Sequence, residues 1–188
     1  MKVEVEGDGR EELNTGMDLS RTIGRFTTIY PVVLETTIGA STGERIKEIK
    51  EQLRAVPDNG IGYGILRYLN QTLNAGAEAE ISFNYRGQSN DNLSVGEIRG
   101  REGKRRDKVE VGASVINGHL QVSWTFNRQQ VDEVEMERVA EWNMEELREI
   151  IRHCAEPAAG GYTPSDFPLA NLSDQQLNQL LAEVEFQV

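Results

Sequence analysis

Cysteine and histidine are nearly absent from this sequence. One cysteine, Cys154, and two histidines, His119 and His153, occur among 188 residues. A lone cysteine cannot close an internal disulfide, which favours a reducing, cytoplasmic setting. The two histidines are far apart, and neither shares a face with Cys154 at ligand spacing, so no metal site is expected. Long apolar runs are also missing. No stretch approaches the roughly 18 residues of a membrane helix, and the opening MKVEVE lacks the apolar core of a secretory signal. No membrane partner is therefore expected. Nor is there a Gly-x-Ser-x-Gly elbow or a phosphate-binding P-loop.

Positive charge is in deficit as well. Twenty basic residues face 31 acidic ones, for a net charge of −11. Such a chain repels nucleic acid unless its cations cluster. The one cluster, Arg99 to Lys108 (RGREGKRRDK), has no aromatic on which a base could stack, and it reads as a solvated loop. No nucleic-acid partner is expected, with phosphate contact by that loop as the minor alternative.

What remains is enough for one domain, or one large lobe of a two-lobed domain. Val3 and Val5 alternate with charged residues as in a half-buried strand, which stops at Gly7-Asp8-Gly9. Phe26 to Leu34 reads as extended, with Pro31 confining it to an edge or a bulge. Ser41 and Glu44 have capping-box spacing ahead of a helix bearing Ile46, Ile49, Leu53 and Val56. Pro57 and Gly60 end it. A second helix is predicted from Gly64 to Leu73, then a strand from Glu80 to Tyr85 and a long polar loop over 86–107.

Asn117-Gly118 between Lys108–Ile116 and His119–Phe126 is a strong hairpin signal. Asp132 caps the longest helix, whose stripe is Met136, Val139, Ala140, Leu147, Ile150, Ile151 and Cys154. An extended Tyr162–Leu169 and a short helix capped by Ser173 and Gln176 follow. Strands and helices interleave, so the fold class is α/β (α+β), a mixed β-sheet with packed helices. Without more, Glu6 is the exposed end of a strand, Tyr85 packs beside Phe83, Tyr63 packs, and His119 and His153 make poor candidates for a base. Gly60 to Gly64 lacks dinucleotide-binding spacing and reads as a turn opening a helix.

Four ordered segments nevertheless resemble the motifs of nonribosomal peptide synthetase epimerization domains, members of the condensation-domain superfamily. Glu6-Gly-Asp-Gly-Arg-Glu11 resembles EGHGRE, and Arg21 to Pro31 (RTIGRFTTIYP) resembles RTVGWFTxxYP. Pro57 to Gly64 (PDNGIGYG) resembles PxxGxGYG, and Phe83 to Gln88 (FNYRGQ) resembles FNYLGQ. The tail GYTPSDFP, residues 161–168, is similar to the segment that closes such domains.

The resemblance implies one chloramphenicol-acetyltransferase-like lobe, specifically the C-terminal one. Residues 1–156 would form its body, and 157–188 a closing extended segment and terminal helix. It implies an isomerase working in antibiotic biosynthesis. The enzyme would turn a carrier-bound L-aminoacyl or peptidyl thioester into the D form by removing and returning the Cα proton. The thioester would arrive on the phosphopantetheine arm of a peptidyl carrier protein, with no cofactor bound directly by this chain. The histidine motif HHxxxDG belongs to the N-terminal lobe and has no counterpart here, so that lobe and neighbouring synthetase domains are the implied partners. Activity without that lobe is not expected.

By the same resemblance, Glu6 matches the catalytic glutamate, with Tyr85 as proton donor or orienter and Asn84, Gly7 and Arg10 in support. A carboxylate with an ordinary pKa of about 4.3 is a weak base for this task unless burial raises it. The chain departs from the pattern at Asp8 for histidine, Arg25 for tryptophan and Arg86 for leucine. Three charges in place of neutral residues predict wet positions. Two alternatives stand beside the epimerase: a non-catalytic interaction or scaffold lobe, including an engineered, solubilised one, and a condensation-type acyl transferase.

Overall fold

The computed structural model describes residues 1–11, 16, 18–19, 21–73, 76, 78–89, 107–157 and 159–185. It divides into two compact units, Met1–Leu34 with Val56–Glu141, and Glu35–Ala55 with Trp142–Val188.

The first unit is built on one five-stranded sheet in the order β2-β1-β3-β4-β5. Its strands are β1 (Lys2–Gly7), β2 (Thr28–Val33), β3 (Ile81–Ser89), β4 (Val109–Ile116) and β5 (His119–Phe126). The outer pairs β1–β2 and β4–β5 are antiparallel, whereas β3 runs parallel to both β1 and β4. Pro31 lies on β2, which pairs only with β1, so its missing N–H costs the ladder little. The β4–β5 hairpin turns at Asn117 and Gly118, with φ of 50° and 77°. Two successive positive φ values give the type I′ turn whose twist matches the strands.

Strand alternation gives this sheet two unlike faces. Val3, Val5, Ile81, Phe83, Val109, Val111 and Ala113 point one way, and register places Tyr30, Val122, Trp124 and Phe126 with them. The core gathers on this face. Val109, Val111 and Met136 are buried, and Ile81, Val122, Trp124, Phe126 and Val131 pack against them. Burial of such side chains stabilises by on the order of 2 kcal/mol each. The other face carries Glu4, Glu6, Ser82, Asn84, Glu110, Ser123 and Thr125 and is polar over β1, β3 and β5, with Ile29, Pro31 and Val33 of the edge strand β2 beside them. Glu4 is nonetheless only 3% exposed.

In the second unit, helix α1 (Thr42–Arg54) opens on the predicted capping box. Ser41 Oγ accepts from the Glu44 N–H at 3.3 Å while Glu44 accepts from the Ser41 N–H at 2.8 Å. Helix α2 (Glu133–Cys154) starts in the first unit and ends in the second, with Asp132 accepting from the Glu135 N–H at 3.0 Å. Helix α3 (Asp174–Glu185) has a reciprocal cap between Ser173 and Gln176. A 3-10 turn at Pro164–Asp166 places Asp166 against α1, where it accepts from Lys50 at 2.8 Å and Arg54 at 2.7 Å. Ser165 Oγ donates to Glu51 of the same helix.

Several expectations are corrected. The helix predicted from Gly64 to Leu73 is a single π-helical turn, Ile65–Leu69. It ends because Gln71 takes φ of 52°, outside the helical region, and its apolar residues Ile65, Tyr68 and Leu69 stay exposed. Residues 86–89, expected as loop, belong to β3, which runs to Ser89 through a bulge, and residues 90–106 of the expected loop lie outside the described residues. Tyr162–Leu169 is not wholly extended, since Pro164–Asp166 turns within it. On α2 the covered line runs through Met136, Ala140, Asn143, Leu147 and Ile150. Val139 and Ile151 sit on its flanks and are exposed, as is Cys154 in the last turn. Most of the basic cluster, residues 99–106, lies outside the described residues.

Candidate active site

The C-terminal end of β1 and the middle of β3 converge on one cavity of about 440 Å³, lined by Glu6, Gly7, Asp8, Arg25, Thr27, Asn84, Tyr85 and Arg86. Parallel pairing creates it. Val5 stands opposite Phe83, so the next residues, Glu6 and Asn84, share the polar face. Asn84 Nδ2 donates to Glu6 Oε2 at 2.6 Å. That bond fixes one oxygen of the carboxylate and so orients the other.

Glycine shapes the turn after Glu6. A Cβ on Gly7 would lie 2.8 Å from Thr28 Oγ1. Gly9 takes φ of 67°, and a Cβ there would lie 1.7 Å from the Phe26 carbonyl oxygen. Only glycine fits so close an approach. The chain then reaches Arg10, whose guanidinium gathers the returning segment. It donates to the Leu19 and Thr22 carbonyls at 2.9 Å each and to Gly24 at 3.3 Å. Its carbon lies 4.5 Å above the Phe26 ring, and Asp8 approaches it at 3.7 Å. Arg10 thus holds the segment that carries Arg25 and Thr27 to the cavity rim.

The structure therefore unites Glu6, Asn84 and Gly7 directly, and Arg10 through the loop it anchors. Tyr85 lines the same cavity, but the pleat sends it from β3 toward the face opposite Glu6 and Asn84, and it is half exposed. Asp8, Arg25 and Arg86 are all exposed, as three charges in these places require. Thr27 was not singled out by sequence reasoning; its place two residues beyond Arg25 in the same segment was the only signal. The histidines lie elsewhere. His119 is exposed in the hairpin, with Nδ1 3.0 Å from the Asn117 carbonyl oxygen, and the His153 ring rests against Gly43 of α1. Among the described residues no group of three acidic, histidine or cysteine side chains is placed to hold a metal ion.

The Condensation domain family profile matches residues 1–172. The chain belongs to the condensation domain family. It is 43% identical to a linear gramicidin synthase polypeptide of Brevibacillus parabrevis, over 95% of its own length and 4% of that protein's. To bacitracin synthase 3 of Bacillus licheniformis it is 36% identical over 96% and 3%. These relatives are nonribosomal peptide synthetases of antibiotic assembly, and the chain spans only a few hundredths of their length.

Among solved structures, the epimerization domain from the third module of tyrocidine synthetase B superimposes with a TM-score of 0.72 at 36% identity. The match covers 82% of this chain and 37% of that one. The first condensation domain of the CDA synthetase, at 17% identity and a TM-score of 0.52, shares the fold. The resemblance found in the motifs and the chloramphenicol-acetyltransferase-like α/β fold both hold. Among the described residues no helix is long and apolar enough to cross a membrane.

Proposed function

We propose that this condensation-family chain supplies the glutamate half of an epimerization site acting on a carrier-bound aminoacyl or peptidyl thioester. The observation that carries the reading is the Asn84–Glu6 bond of 2.6 Å, made between two segments that both resemble epimerization motifs and opening on one cavity. The thioester acidifies its Cα–H bond by letting the resulting carbanion delocalise onto the carbonyl oxygen as an enolate. Glu6 takes or returns the Cα proton on one face of that enolate. A group on the opposite face does the converse, and the configuration inverts with no net gain or loss of atoms.

Asn84 acts as a positioning residue, because its bond to one oxygen aims the other. Tyr85 borders the cavity from the opposite sheet face, so its part in this reading is to shape the rim and not to bond the enolate. The partners this reading requires are a peptidyl carrier protein, whose phosphopantetheine arm presents the thioester, and the N-terminal lobe bearing the histidine motif. Both come from the setting of its synthetase relatives.

Cα exchange tests the proposal. An L-aminoacyl carrier protein is incubated in D2O with this chain and an epimerization N-terminal lobe supplied in trans, and deuterium is followed by mass spectrometry. Incorporation that disappears in Glu6→Gln is expected. Peptide-bond formation without Cα exchange would instead establish the condensation reading, and neither reaction would leave a scaffold lobe.

A further inference from the structure

The Glu6 cavity is bordered by a cation on the polar sheet face, Arg86, that proton transfer does not use. Tyr85 pairs with Ala113 and Gln88 with Val115, so Arg86 and Gly87 share the single place opposite Ser114. Gly87 takes φ of 79°, which completes the bulge. Arg86 then lies over Gly112, where a Cβ would come within 2.8 Å of its Nη2. Glycine at 112 is what makes a seat for the guanidinium. Ser123 borders that seat with its hydroxyl already committed, donating to the Gly112 carbonyl at 3.2 Å.

Among the described residues no carboxylate pairs with Arg86 or with Arg25, whose only side-chain bond there is to Thr27 at 3.5 Å. Both arginines line the Glu6 cavity, and Arg86 also borders an adjoining hollow of about 310 Å³ walled by Ser114, Gln121 and Ser123.

The spacing suits a particular substrate. Gly112 stands opposite Asn84, which holds Glu6, so the guanidinium lies one to two strand spacings from the carboxylate, roughly 5–10 Å. An acidic side chain spans that gap when its Cα sits over Glu6. A substrate carboxylate so near Glu6 would be repelled unless a cation offset the charge. Arg86 presents the planar fork that takes a carboxylate through two parallel bonds.

We propose that Arg86 on its Gly112 seat, with Arg25 at the rim, selects an aminoacyl group with a carboxylate side chain, aspartyl or glutamyl, for the Glu6 site. The inference rests on the reading of that site as one for a carrier-borne aminoacyl group. The phosphate of the pantetheine arm is the other anion within reach of such a site, and the test separates the two.

Binding is measured by calorimetry on the full chain with amide-linked, non-hydrolysable aminoacyl-pantetheine analogues. Glutamyl or aspartyl analogues are expected to bind about tenfold tighter than the glutaminyl or asparaginyl ones. Arg86→Met erases that preference. Gly112→Ala, which fills the seat while circular dichroism reports an intact fold, does the same. Equal affinity for acid and amide, no binding of any analogue, or a preference that survives Arg86→Met overturns the proposal. So does 4′-phosphopantetheine without an amino acid binding as tightly and with the same dependence on Arg86, which assigns the arginine to the arm. An acid preference with no Cα exchange upholds this inference and removes the epimerase reading, so the two fail separately.

Discussion

Asn84 holds the Glu6 carboxylate across the parallel β1–β3 pair at 2.6 Å, and the two meet because the register sets Val5 opposite Phe83 and so puts the next residues side by side. Glu6→Gln keeps an oxygen for that bond and removes the base proposed above. Cα exchange is expected to fall by about 10²- to 10⁴-fold with the melting temperature unchanged. Asn84→Ala removes that bond without deleting the carboxylate, so a smaller loss, about tenfold, is expected, and Asn84→Asp, which cannot donate to Glu6, should not restore the rate. A Gln variant that exchanges at the wild-type rate would remove Glu6 from the chemistry.

Gly60 takes φ of 77°, and a Cβ there would lie 2.1 Å from the Tyr30 ring. Tyr30 is buried on β2, the strand paired with β1, so the ring cannot swing away without opening the sheet. Gly60→Ala adds left-handed backbone strain to overpacking. A loss of about 2–4 kcal/mol in urea unfolding is expected. Gly62→Ala, whose Cβ would meet nothing within 4 Å, is the control and should be close to neutral.

These elements differ in how far the sequence disclosed them. The Asn117-Gly118 hairpin, the Ser41–Glu44 box and the edge position of Pro31 are local chemistry, legible from neighbouring residues alone. Glu6, Asn84 and Tyr85 were legible only through the motifs that contain them, since an isolated strand-end glutamate looks solvated. The pairing of β1 with β3 across 78 positions, which makes the Asn84–Glu6 bond, has no local signature. Nor has the bulge at Arg86-Gly87, where polar residues and glycine read as loop. The helix predicted at Gly64–Leu73 failed because its apolar spacing was met but Gln71 leaves the helical region.

Arg10 shows how a motif residue can act at a distance from chemistry. Its guanidinium serves three carbonyls and the Phe26 ring at once. Lysine keeps the charge but not the fork, so Arg10→Lys is expected to lower stability by about 2 kcal/mol. Limited proteolysis should then cut first between residues 19 and 26, the segment Arg10 gathers. Cα exchange should drop less than in Glu6→Gln, since the Asn84–Glu6 bond is untouched. Unchanged cleavage in Arg10→Lys would show that the loop holds itself.

Asp166 makes the second unit acid-sensitive. Hydrogen bonds from Lys50, the Thr163 backbone N–H and Arg54 hold its carboxyl well below the usual carboxylate range. The unfolded carboxyl titrates near its ordinary 3.8 and the folded one lower. Its contribution is therefore full above that value and is lost as pH falls from about 4 toward the folded pKa. Water reaches about a quarter of the side chain, at 24% exposure, so salt screens part of the effect. Asp166→Asn is expected to melt several degrees lower at pH 7, with the gap to wild type constant down to about pH 4 and narrowing as pH falls below it. Other depressed carboxyls, such as Glu44 and Glu48, are common to both proteins and cancel in that difference. A gap that stays constant below about pH 4 as well would mean that the aspartate stabilises the turn by shape, through its cap on Thr163, and not by its charge.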